Sequence, residues 1–183
     1  MSVIFNRRSV RHFLSKKIDQ DKLERILRAG FEAPSAHNRR PWEFLVATSQ
    51  EDREAIAAMS PYAKMLGGAA AAITVCVNLG IGCVDNPGDT WWIQDLSAAT
   101  ENILLQIVEE GLGGVWLGWY PDEDRIRAFS GRFGLPPHIL PFSVVALGYA
   151  AKTPEPAFRF DAGKVYYGAY GRKNDGAAEY KKI

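Results

Sequence analysis

Between Trp91 and about Glu110 the apolar side chains do not keep to one narrow stripe. Leu96, Ala99, Ile103 and Ile107 recur at helical spacing, and Leu104 and Val108 widen the face they mark. A helix apolar over so much of its circumference has to be covered on several sides, as in a domain core or at an interface between two chains. The pattern stops at Gly111-Leu112-Gly113-Gly114, where glycine supplies the left-handed backbone that ends a helix. The chain has 183 residues, enough to bury a substantial core, and is expected to form a single domain over 1–183 with about 150–183 as an extended tail.

The totals exclude several classes of function. A net charge of +1 argues against general binding to nucleic acid or to an anionic membrane, so any cluster of arginines must act locally. The longest apolar run, Gly67 to Val77, is too short for a bilayer, which takes about 20 residues. The basic N-terminal stretch has no apolar run of signal-peptide length behind it. Cys76 and Cys83 show neither metal-type nor redox-type spacing and read as packing residues of a reducing compartment. The expected location is the cytoplasm.

In order, a helix is expected over Ile18–Gly30, with Asp19 as N-cap and Leu23, Ile26, Leu27 and Gly30 on one face. Pro34 and Pro41 bar the helix from continuing through the next segment, and Ser35, His37 and Asn38 supply donors on that constrained loop. A short strand over Glu43–Thr48, a helix from Ser49 to about Ser60 and a buried strand over Ala70–Asn78 follow. Leu79–Thr90 reads as a loop. Its Gly80-Ile81-Gly82 is not a dinucleotide fingerprint, since the third glycine is missing and Pro87 stands where a helix would begin. Val115–Tyr120 is either a core strand or an apolar wall for a flat ligand, with Gly118 allowing a backbone N–H close approach. A short helix from Pro121-Asp122 to about Gly131 and a strand over Pro141–Tyr149 complete the elements. The tail beyond Gly148 lacks hydrophobic periodicity and is expected to wrap over another surface.

Near the N-terminus, Arg7-Arg8-Ser9-Val10-Arg11 sets three guanidiniums and a hydroxyl side by side. Arg7 and Arg11 share a face whether the segment is helical or extended. Planar forks giving paired, charge-assisted hydrogen bonds, with a short neutral donor between them, suit a phosphate monoester. The alternative is a solvated basic face.

Three pieces in register carry a resemblance. They are Arg7-Arg8-Ser9-Val10-Arg11-x-Phe13, Ala33-Pro34-Ser35-Ala36-x-Asn38-x-x-Pro41-Trp42, and Gly111-Leu112-Gly113-Gly114-Val115-Trp116-Leu117-Gly118. Together with Trp92, Asp95 and Gly148-Tyr149, they make the chain resemble the short form of the FMN-dependent nitroreductase family from Arg7 to about Tyr170. The resemblance implies an α+β fold: a mostly antiparallel central sheet flanked by helices, in an intertwined homodimer with FMN at the subunit interface. It implies that Arg7, Arg8, Ser9 and Arg11 hold the phosphate and ribityl end. Pro34, Ser35 and Asn38 would reach the partner's flavin, Leu117 and Gly118 would lie beside the ring, and Arg159 would add a phosphate contact. The chain departs from the family pattern at Arg40, where a Gln is usual, at Ala150, where Pro is usual, and at Tyr166 and Tyr170.

The activity so implied is a two-stage transfer of electrons from NADH or NADPH to a small electron-poor acceptor such as a nitroaromatic or quinone. The cofactor carries the chemistry, and no dedicated catalytic side chain is expected; His12, His37 and His138 read as structural or surface residues. The alternatives are a relative specialised for one metabolite, by desaturation, dehalogenation or flavin breakdown, and a non-catalytic FMN-binding module.

Overall fold

Four strands pair into one antiparallel sheet in the order β1-β2-β4-β3, where β1 is Trp42–Ala47, β2 Ala71–Asn78, β3 Gly113–Gly118 and β4 Ile139–Gly148. The computed structural model describes residues 2–83, 88–155, 157 and 159–173. The central strands β2 and β4 are covered on both faces, which is why each reads as a nearly unbroken apolar run. Alternate side chains go to opposite faces. Ile73, Val75, Val77, Val145 and Leu147 join one core cluster, while Ala72, Val144 and Ala146 join a second.

Two long helices cover the first face. The helix α5 (Trp91–Glu109) buries Leu96, Ala99, Ile103 and Ile107 completely, and α2 (Gln20–Phe31) packs Leu23 and Ile26 against it. The broad apolar stripe of α5 is not completely covered by the chain itself, for Leu105 and Val108 are only partly buried. The second face carries α3 (Gln50–Ala58), α6 (Glu123–Phe133) and the 3-10 turn Lys64–Gly68, through Ile56, Phe129 and Leu66. Helix starts follow local chemistry. Ser49 Oγ accepts from Asp52 N at 3.0 Å, and Asp122 Oδ1 accepts from Arg125 N at 3.1 Å. Asp19 stands at the N-cap of α2 without a side-chain cap bond.

Expectation and structure differ at three places. A short helix α1 (Val3–Asn6) precedes the arginine cluster; four residues leave no periodicity to read. Leu79–Gly82 forms a helical turn, α4, because Asn78 Oδ1 accepts from Gly80 N at 3.0 Å; residues 84–87 of the expected loop lie outside the described residues. Helix α6 runs through Gly131 to Phe133, since Phe133 packs on Phe129 at 4.5 Å between centroids and the left-handed cap falls on Gly134 instead. The α+β architecture with an antiparallel sheet flanked by helices is as expected, and among the described residues no helix is long and apolar enough to cross a membrane. Part of the tail (156, 158 and 174–183) lies outside the described residues.

Candidate functional site

The outer strand β3 is met at one end by the N-terminal segment. Ser9 forms a parallel bridge with Gly114, and Val10 N donates to the Gly114 carbonyl at 3.0 Å. Val10 is 2% exposed and sits on Gly113, where an added Cβ would come within 2.7–2.9 Å of its side chain. Burying Val10 turns its neighbours Ser9 and Arg11 the other way along this extended stretch. Backbone groups of successive strand residues also point to alternate edges. The Gly114 carbonyl faces outward to Val10 and the Gly118 carbonyl accepts from Arg125 Nη1 at 3.2 Å, so Trp116 and Gly118 carry the outward parity. Trp119 N, of the other parity, donates to Phe142 O on the β4 side at 3.1 Å. The end of β3 is therefore an open backbone edge.

That edge borders a cleft of about 520 Å³, whose walls include Arg11, Leu117, Gly118, Lys64 and Arg125. A Cβ placed on Gly118 would meet nothing within 4 Å, so the glycine leaves the backbone accessible from the cleft. Tyr62 and Trp116 add flat apolar surface. No aspartate or glutamate lines the cleft, and neither Arg11 nor Lys64 has an ion pair or hydrogen bond among the described residues. Lys64, Tyr62 and Arg125 carry no signal in the sequence that would have marked them. They come from a 3-10 turn, the loop before it and a helix, and only packing brings them to β3.

The other residues expected at the site are divided. Arg7 caps α1 and pairs with Glu101 of α5 at 3.3 Å. The Arg8 guanidinium is given to backbone, donating to Glu155 O in the tail at 3.2 Å and to Arg7 O at 2.7 Å. It straps the tail to the cluster. Arg159 is exposed on that tail. The chain thus keeps Arg7, Arg8 and Ser9 adjacent along one segment but delivers only Arg11 to the cleft with Leu117 and Gly118.

Pro34, Ser35 and Asn38 are elsewhere. Their loop packs on the α5 side of the sheet, whereas Leu117 and Met65 of the cleft belong to the opposite cluster. The loop is unusual in its backbone: His37, Asn38 and Arg40 all have positive φ, at 52°, 55° and 52°. It is held from within by Arg40, whose N donates to Ser35 Oγ and whose Nε donates to Asn38 Oδ1, both at 2.9 Å. It is held from below by Asp95, whose Oδ1 accepts from Ala36 N at 2.9 Å, and by an Arg39–Asp89 pair at 3.8 Å. Asp95 is 7% exposed, and burial pushes its carboxyl up from the ordinary range against the pull of the Ala36 N–H. Burial also drives the Cys76 thiol up to about 12, so it is an inert packing residue.

Comparison with known proteins bears on the family and the fold. Residues 4–72 match the model of the nitroreductase family. A protein of Methanothermobacter thermautotrophicus, provisionally named an NADH dehydrogenase/NAD(P)H nitroreductase, is 38% identical over 91% of this chain and 85% of its own length. A crystal structure from Clostridium acetobutylicum, provisionally an NADH oxidase, superposes with a TM-score of 0.87 at 37% identity, covering 92% of this chain and all of that one. Another, a provisionally named nitroreductase from Desulfovibrio desulfuricans in complex with FMN, gives 0.76 at 27% identity over 92% of this chain and 95% of its own. At this identity over nearly the whole chain, and with the same overall fold, this chain belongs to the nitroreductase family.

Proposed function

We propose that this chain is an FMN-dependent NAD(P)H oxidoreductase, acting as a cytoplasmic homodimer folded as one domain over 1–183. The observation that carries the reading is the cleft in which Arg11, Lys64, Leu117 and the outward backbone edge at Trp116 and Gly118 converge. Its donor set fits FMN. Unpaired cations suit the electron-rich pyrimidine edge of the ring, an accessible backbone edge suits its polar rim, and Gly118 leaves room for a flat body. Arg7, Arg8 and Ser9, one step along the same segment, together with Arg159 from the tail, would hold the phosphate and ribityl end. Arg8 does this in part by fixing the tail through the Glu155 carbonyl.

The chemistry FMN supplies when bound is transfer of two electrons, so that NAD(P)H, a proton and a quinone give NAD(P)+ and a hydroquinone, or a nitroaromatic is reduced in the quinone's place. The chain's own contribution is binding, orientation and charge. Two cations that lack partners in the cleft stabilise negative charge arriving there, and the buried wall behind Leu117 keeps water from one side. Pro34, Ser35 and Asn38 complete the site on the partner's cleft. Support for the dimer comes from this division of the site across the two faces of one chain. It comes also from the groove of about 680 Å³ between α2 and α5, where Leu105 and Val3 stand only partly covered.

The test is the visible spectrum of purified protein saturated with FMN, followed by anaerobic addition of NADH or NADPH. A yellow dimer bleached by nicotinamide and reoxidised by a quinone is expected. A colourless monomer that takes up no FMN would refute the proposal, and a flavin-loaded dimer that neither nicotinamide bleaches would reduce it to a binding module.

A further inference from the structure

The cleft beside β3 carries more positive charge than an FMN ring can use. Three cations line it from three separate segments: Arg11, Lys64 and Arg125. Against them stands the single carboxylate of Asp122, whose Oδ2 pairs with Arg125 Nε at 3.1 Å while its Oδ1 caps the start of α6. Arg125 Nη1 is committed to the Gly118 carbonyl, and its Nη2 has no hydrogen-bond partner among the described residues. The FMN ring is uncharged when oxidised and adds at most one negative charge when reduced. The cleft therefore stays positive in either state.

The outer wall has a second property. Tyr62 is 72% exposed, and the Arg125 guanidinium lies 5.8 Å from its ring centroid. Pro61 and Ser60 continue that wall. A flat apolar plate flanked by a guanidinium and an ammonium is complementary to an aromatic ring bearing an acid group. The ring gains stacking area, and the acid group finds charged donors in the same cleft.

We infer that the acceptor site takes aromatic molecules carrying an anionic substituent, such as a nitrobenzoate or a carboxylated quinone, with Tyr62 facing the ring and Arg125 the acid group. This rests on the FMN reading above, and Arg125 and Tyr62 are its specificity-determining residues. Asp122 limits the effect by neutralising part of the Arg125 charge. The preference is accordingly a modest one that salt weakens.

The test uses FMN-saturated protein titrated with benzoate and with benzamide, which match in shape and differ in charge, read by perturbation of the bound flavin's visible spectrum. Benzoate is expected to bind about fivefold tighter than benzamide at low ionic strength, with the advantage shrinking at about 0.5 M salt. Arg125→Gln is expected to remove most of the advantage, and the bound-flavin absorbance of each sample reports occupancy in the same titration. Asp122→Asn, which keeps the helix cap and frees the guanidinium, is expected to increase it; this variant decides the matter if Arg125→Gln does not fold. Equal affinities in the parent protein, or an undiminished advantage in Arg125→Gln, overturn the inference while leaving the FMN reading intact. A protein that takes up no FMN overturns both.

Discussion

Replacing Asp95 by alanine removes the acceptor under the Ala36 amide, in a loop where His37, Asn38 and Arg40 are all held at positive φ. A hydrogen bond to an ionised group contributes about 1.5–3 kcal/mol. Residues kept in sparsely populated backbone regions cost about 1 kcal/mol or more each, a strain of the same order as the bond that holds it. Without Asp95 the loop is expected to relax. If the loop contacts FMN through Ser35 and Asn38, only the fraction of molecules with the loop formed binds tightly, and the FMN dissociation constant should rise tenfold or more. Asp95→Asn separates geometry from charge, because its side-chain oxygen can still accept from Ala36.

The sign of the accompanying pH effect is fixed by burial. The folded Asp95 carboxyl holds its proton to higher pH than the unfolded chain does, chiefly through desolvation, so stability falls as pH rises through that interval and stays lower above it. Asp95→Asn, which has no buried charge, should melt slightly higher than the parent at neutral pH and bind FMN nearly as well. The assays are flavin-fluorescence titration, thermal melts at several pH values, and hydrogen exchange at the Ala36 amide, which reports on the loop without FMN. Parent-like affinity in Asp95→Ala, with a rapidly exchanging Ala36 amide, would show that loop order does not govern flavin binding and would sink the argument.

Arg7→Ala with Arg11→Ala should yield a folded protein that purifies largely without flavin, judged by the ratio of visible to ultraviolet absorbance; full occupancy would remove both from the site. Gly113→Ala should be destabilised by about 1–3 kcal/mol in denaturant melts, since its Cβ would lie 2.7 Å from the buried Val10. Gly118→Val meets no such obstacle and should melt like the parent yet lose flavin affinity. Glu110, bonded by Arg25 at 2.7 and 2.8 Å, has its carboxyl held down at about 2, first by that hydrogen bond. Its contribution is complete above the unfolded carboxylate range and lost as pH falls toward 2, so Glu110→Gln should flatten that part of the acid melting curve. Native protein should react with a thiol reagent at Cys83 well before the buried Cys76, as mass spectrometry of the labelled peptides can check.

Local sequence determined the elements whose reasons are local. The broad stripe of α5, the proline-bounded loop, the unbroken apolar runs of β2 and β4 and the helix starts near Ser49 and Asp122 all follow from side chains a few residues apart, and the structure has these elements within a few residues of their expected bounds; the expected Asp19 cap forms no side-chain bond. The motif Arg7–Arg11 was legible as a candidate anion site for the same reason. Its division of labour was not. Arg7 turns to Glu101, Arg8 to the Glu155 carbonyl and Arg11 to the cleft, because burial of Val10 against Gly113 and the surface each side chain meets are set by residues far along the chain. Lys64, Tyr62 and Arg125 became site residues only when the sheet order put β3 at an edge and left its end uncovered. Spacing along a chain encodes which face a residue shares with its neighbours; which distant surface that face meets is decided by packing alone.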